Sequence, residues 1–146
     1  MTSRFKKDGE EAISHLRQAH SSLQAKERLE LLPLELLEPN SILDLSKTLK
    51  SQYNGVDCFI HNAGYFDKFN SDNAAFEMMW NINYVNTRTL NDKLLEDDSI
   101  NENGKIIYLS SARACLSIFR DSKPEFYNKL KEYETLSQSE IDKVAE

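Results

Sequence analysis

Segments of helical period and short apolar runs take turns along this 146-residue chain, and no other feature of the sequence constrains the fold so strongly. Ala12, Leu16, Ala19 and Leu23 recur at helical spacing, which predicts a helix from Glu10 to about Leu23. "LELLPLEL" (29–36) reads as a strand, and Pro33, which cannot donate to a ladder, assigns it to a sheet edge. Asn40 offers an N-cap, Ile42, Leu45, Leu49 and Tyr53 share one helical face, and Asn54-Gly55 is the stop. "VDCFI" (56–60) reads as a buried strand, and a longer helix is predicted from about Asn73 to Leu95. "NENG" (101–104) is a turn and "KIIYLSS" (105–111) another buried strand. Two short helical patterns close the chain, the second opened by a capping box of Ser137 and Glu140. Helix and strand alternating at this spacing define an α/β fold with a parallel sheet.

Charge and cysteine content exclude several function classes. Eighteen Lys and Arg against 24 Asp and Glu give a net charge of -6, so nothing attracts nucleic acid or an anionic membrane. No signal-peptide core follows the basic N-terminus, and "LELLPLELLE" is interrupted by Glu30, Pro33 and Glu35, so no membrane span is expected. Cys58 and Cys115 form no framework and no CxxC pair, which points to a reduced, cytoplasmic protein. His15 and His20 are wrongly spaced to share a metal, and no metal site is expected. Cys58 is expected as a buried small hydrophobe, His61 as a turn residue, and Met78, Met79 and Trp80 as core or contact surface. The acidic stretch "LLEDDSINEN" reads as a solvated helix end.

The chemistry-bearing stretch is "FIHNAGYF" (59–66), an apolar strand running into a tight polar turn. Such a junction either reverses the chain or lays backbone against a ligand. Taken with "NYVNT" and "YLSS" further on, "HNAG" resembles the short-chain dehydrogenase/reductase family, and within it the monomeric carbonyl reductases. The resemblance covers nearly all of the chain. It implies a partial Rossmann-like, doubly wound parallel sheet holding strands three to five of the family order 3-2-1-4-5, with flanking helices over 1–146. "PEFYNKLKEYETLSQSEID" resembles the helical insertion of carbonyl reductases, at about 123–146.

The family's site residues carry over by motif. Asn62, Ala63 and Gly64 of "HNAG" would line the adenosine side of the cofactor. Arg4 of "TSR" would meet the 2′-phosphate of NADP(H), with Asp8 where relatives often carry a second base, and Glu35 would take the place of the Asp near the adenine. Ser111 would orient a carbonyl substrate, and Asn83 would support the catalytic Lys and a proton-relay water. The implied cofactor is NADPH, the implied partner a small carbonyl compound, and the insertion goes with monomers.

Two departures qualify the resemblance. The four glycines, at 9, 55, 64 and 104, build no GxxxGxG turn, which in the family belongs to a first strand and helix before Met1. The family's Tyr-x-x-x-Lys belongs beyond Glu146. Tyr127 and Lys131 have that spacing, but Asn128, Lys129 and Leu130 stand where the family keeps small residues, so an exposed amphipathic helix is the preferred reading. Both ends therefore look cut, and the third strand is expected to lack a neighbour. The chain alone is expected to be marginally stable or aggregation-prone, to bind no NADP(H) tightly and to be inactive in isolation. Two functions compete: part of an NADPH-dependent carbonyl reductase, or a non-enzymatic protein-interaction module.

Overall fold

The structure is a computed structural model that describes residues 1–20, 29–69, 72–111 and 116–143. It divides into two compact units, Met1–Ile107 and Tyr108–Glu146.

In the first unit the order is β1 (Thr2–Ser3), α1 (Lys6–Ala19), β2 (Leu32–Pro33), α2 (Pro39–Tyr53), β3 (Val56–His61), α3 (Asn73–Trp80), a π-turn (Asn81–Val85), α4 (Asn86–Glu96) and all but the last residue of β4 (Ile100–Tyr108). This is the α/β alternation expected. Helix α1 starts at Lys6, a turn before the predicted Glu10, and Leu23 lies outside the described residues.

Strand β2 was expected to have no neighbour, and it has one: β1 pairs with it in parallel, Thr2 opposite Leu32 and Ser3 opposite Pro33. The partner is two residues long, and β2 shrinks to match instead of filling 29–36. Leu32 N–H donates to Met1 O (2.9 Å) and Leu34 N–H to Ser3 O (3.0 Å). Alternation then turns the nitrogen of Pro33 to the outer edge, where a missing donor is tolerated.

Helix α2 begins at Pro39 with Glu38 at the N-cap, not at Asn40; proline's fixed φ suits the first helical position. Its end is as expected. Asn54 takes left-handed φ 57, and Gly55 N–H reaches back to Leu49 O (2.9 Å). Gly55 itself sits at φ 93, and a Cβ there would lie 2.2 Å from Asn101 Oδ1.

The core gathers Leu34, Leu36, Ile42, Leu45, Leu49, Ile82, Leu90 and Leu94, with Val56 and Phe59 packed against it. Burial of such side chains contributes about 1.5–3 kcal/mol each and sets α2 against α4. Between those helices the buried hydroxyls of Ser46 and Ser99 meet at 3.2 Å. Ser46 also donates to Lys93 O (3.0 Å), and Ser99 to Ser46 O (2.8 Å).

Strands β3 and β4 form a second two-stranded sheet that is not hydrogen-bonded to the first. Neither is buried as the apolar runs predicted. Cys58 is exposed, and Ile60, Ile107 and Tyr108 are 55%, 42% and 55% exposed, because the described residues cover one face of this sheet incompletely. "NENG" does not precede β4 but lies within it: the strand starts at Ile100, and Asn103 at φ 63 kinks it.

The second unit contains a 3-10 turn (Leu116–Phe119), α5 (Pro124–Lys131), a second 3-10 turn (Tyr133–Thr135) and α6 (Gln138–Asp142). Ser137 and Glu140 make the predicted capping box. No described residue of α5 or α6 is buried. Cys115 lies outside the described residues.

Candidate nucleotide site

The turn after β3 is fixed from a distant helix. Asn83 donates from Nδ2 to Tyr65 O (2.8 Å) and accepts at Oδ1 from Tyr65 N–H (2.7 Å), so one side-chain amide holds both polar groups of one backbone residue. Asn83 sits in the π-turn, where Asn86 N–H bonds Asn81 O across five residues. The hydroxyls of Thr87 and Thr89 bond Ile82 O (2.8 Å) and Val85 O (3.0 Å), giving carbonyls of the irregular turn a partner. Gly64 lies against this clamp: a Cβ on it would stand 3.3 Å from Asn83 Oδ1. The Asn83 amide keeps one further donor and one further acceptor position.

Two adjoining cavities flank the turn. One, about 260 Å³, is walled by Arg4, Glu35, Ala63, Gly64 and Tyr65 over the apolar floor of Ile82. The other, about 290 Å³, lies between Thr2 of β1 and Phe59–Asn62 of β3, over Leu90. Four of the five residues expected at a cofactor thus share the first cavity, while Asn62 lines the second together with Ala63. Asn62, Ala63 and Gly64 are all exposed.

The charge in the first cavity is paired. Arg4 Nε and Glu35 Oε2 are 3.4 Å apart, and the Arg4 guanidinium lies 4.4 Å from the Phe5 ring centre. The other Glu35 oxygen accepts from Leu37 N–H (3.1 Å). Partial desolvation raises the Tyr65 phenol, Asp67 raises it further by charge and by a hydrogen bond (3.3 Å), and Arg4 opposes the shift. Burial lowers His61 below the ordinary imidazole value, so it is neutral at pH 7; its ring meets Phe59 at 4.9 Å.

Ser111 follows β4 in the second unit and is exposed. Tyr127 and Lys131, also in that unit, face each other through the ring, with Nζ 5.4 Å from its centre. His15 is an exposed residue of α1 and His20 the exposed residue that caps its end, and among the described residues no three His, Cys, Asp or Glu side chains cluster as metal ligands. No helix of the described residues is long and apolar enough to cross a membrane. Sequence reasoning missed Tyr65 as the partner of Asn83; its position directly after "HNAG" was the available signal.

A parallel strand pair, helices alternating with strands and a glycine-containing segment after a strand beside a cavity are features of an α/β fold. The short chain dehydrogenase family model matches residues 3–121, and the chain belongs to that family. Menthone neomenthol reductase from Mentha piperita is similar in fold, with TM-score 0.83 at 15% identity over 99% of this chain and 62% of its own. Salutaridine reductase from Papaver somniferum gives TM-score 0.77 at 17% identity, covering 99% of this chain and 58% of that one. A short chain dehydrogenase from Burkholderia cenocepacia in complex with NADP gives TM-score 0.53 at 15% identity, covering 76% of this chain and 49% of that one. The chain therefore spans about three-fifths of the length of the first two. No curated protein sequence matches it significantly.

Proposed function

We propose that this chain carries the adenosine half of the cofactor site of an NADPH-dependent carbonyl reductase, and that the reaction belongs to the longer protein its relatives represent. One observation carries the proposal: Arg4, Glu35, Ala63 and Gly64, separated in sequence, wall a single cavity. The residues fit the group. Arg4 supplies a cation for a 2′-phosphate, Glu35 an acceptor for an adenine amino group, and Gly64 lets the backbone of 62–64 approach a ribose.

The cofactor, when bound, supplies hydride to a ketone, aldehyde or quinone carbonyl. The chain's own contribution is binding and orientation. Asn83 keeps the 62–65 backbone at the cavity wall through its two bonds to Tyr65. The exposed Ser111 hydroxyl has the chemistry to donate a hydrogen bond to a carbonyl oxygen. A cytoplasmic, monomeric parent and the insertion at about 123–146 belong to the same proposal.

The test is titration of the purified chain with 2′,5′-ADP, followed residue by residue through backbone amide signals. The expected result is weak binding that moves Arg4, Ala63, Gly64 and Tyr65; signals that stay still at saturating ligand overturn the proposal. The second reading, an interaction module, is favoured by exposed apolar side chains on β3 and the turn after it. Ile60 is 55%, Phe66 61% and Phe69 93% exposed. Concentration-dependent self-association or partner binding, with no nucleotide response, favours it.

A further inference from the structure

The cation that the nucleotide reading requires is already engaged. Arg4 and Glu35 come from segments 31 residues apart and meet at 3.4 Å across one wall of the cavity. Glu35 is not a freely swinging group. Leu37 N–H holds Oε1 at 3.1 Å, and Ser41 Oγ accepts from the Glu35 backbone N–H at 2.8 Å, which leaves Oε2 aimed at the guanidinium. The glutamate side chain is 27% exposed and the arginine 51%, so the arginine head remains reachable from solvent while its partner is anchored.

We propose that Glu35 is a specificity-determining residue: its carboxylate, paired with Arg4 Nε, opposes by charge a 2′-phosphate that approaches the remaining guanidinium donors. A ligand without that phosphate meets no such opposition. The carboxylate therefore narrows the preference for phosphorylated over unphosphorylated ribose that Arg4 alone would give. An aspartate is one methylene shorter and, with the backbone held by Ser41, falls short of Arg4. The inference rests on the nucleotide reading above.

Titrations of the native chain and of E35Q, E35D and R4A with 2′,5′-ADP and with 5′-AMP test it, with amide signals reporting both the fold and the site. The affinity of E35Q for 2′,5′-ADP relative to 5′-AMP should rise about fivefold over that of the native chain, the scale of a partly exposed ion pair, since any change at the adenine contact acts on both nucleotides alike. E35D keeps the charge but loses the reach, and should gain about twofold. The E35Q gain should vanish when combined with R4A. An equal gain for both nucleotides, an E35D protein indistinguishable from native, or a gain that survives R4A overturns the inference while leaving the nucleotide site standing. Absence of any 2′,5′-ADP response in the native chain and in every variant removes the nucleotide reading and this inference with it.

Discussion

Helices α2 and α4 and the second unit are held by opposite kinds of force. Between α2 and α4, Ile42, Leu45, Leu49, Leu90 and Leu94 are almost wholly removed from water, and the hydroxyl pair of Ser46 and Ser99 is sealed among them. In the second unit no described residue of α5 or α6 is buried. Among its described residues the contacts include an ion pair of Lys129 with Glu140, the capping box at Ser137 and an edge-on ring pair of Phe119 and Phe126 at 5.1 Å. Apolar burial is insensitive to salt and pH, whereas exposed charge pairs are weak and screened. The two units should therefore fail under different conditions.

The largest effect should come from the centre of the first. Leu94 is 0% exposed, and Leu94→Ala leaves a cavity that costs about 2–5 kcal/mol. Urea denaturation followed by tryptophan fluorescence reads this through Trp80, in the first unit. A loss below about 1 kcal/mol would mean that α2–α4 packing is not what holds that unit. Ser99→Ala should cost less, about 1–3 kcal/mol, by removing the buried hydroxyl that donates to Ser46 O. The same denaturation experiment checks it, and an unchanged midpoint would reassign the pair to bystanders.

How much of this was legible in the sequence follows the same division. Periodic features with local causes were readable: the α2 face, the Asn54-Gly55 stop and the Ser137–Glu140 box each depend on residues within a few positions of one another. Features set by distant partners were not. Nothing near Thr2 marks it as a strand, since two residues have no period, and its pairing is decided by Leu32. "VDCFI" has the composition of a buried strand, yet Cys58 and Ile60 are exposed because burial depends on what covers the sheet. Of the site, the motif residues were named from resemblance, but the Arg4–Glu35 pair and the Asn83–Tyr65 clamp span 31 and 18 residues. Only the folded backbone brings them together.

Between the two extremes lies the Asn83 clamp, polar and exposed but closed at both ends. Asn83→Ala removes one donor and one acceptor from Tyr65 and should cost about 1 kcal/mol, confined to the turn. Hydrogen exchange at the Tyr65 amide should quicken while Leu90 and Leu94 amides keep their protection. Equal loosening of both would mean that Asn83 serves the whole unit and not the turn.

The smallest effect sharpens the contrast most, because only the polar unit should register it. Glu140 is held at a pKa of about 2 against an ordinary 4.5, first by the Lys129 side chain and then by the backbone and hydroxyl of Ser137. Its pKa is depressed on folding. The stabilisation is thus complete above about pH 4.5 and fades as pH falls through the folded value near 2. Acidification through that window should release the Ser137 amide, which donates to Glu140 at 2.8 Å, and fray α6. Glu140→Gln should flatten that response without touching the α2–α4 core. Carboxyl titration by NMR is the check. A Glu140 that titrates near 4.5, or an α6 indifferent to its protonation, would mean that the box and the ion pair contribute nothing, and that the second unit owes its order to the ring pair of Phe119 and Phe126.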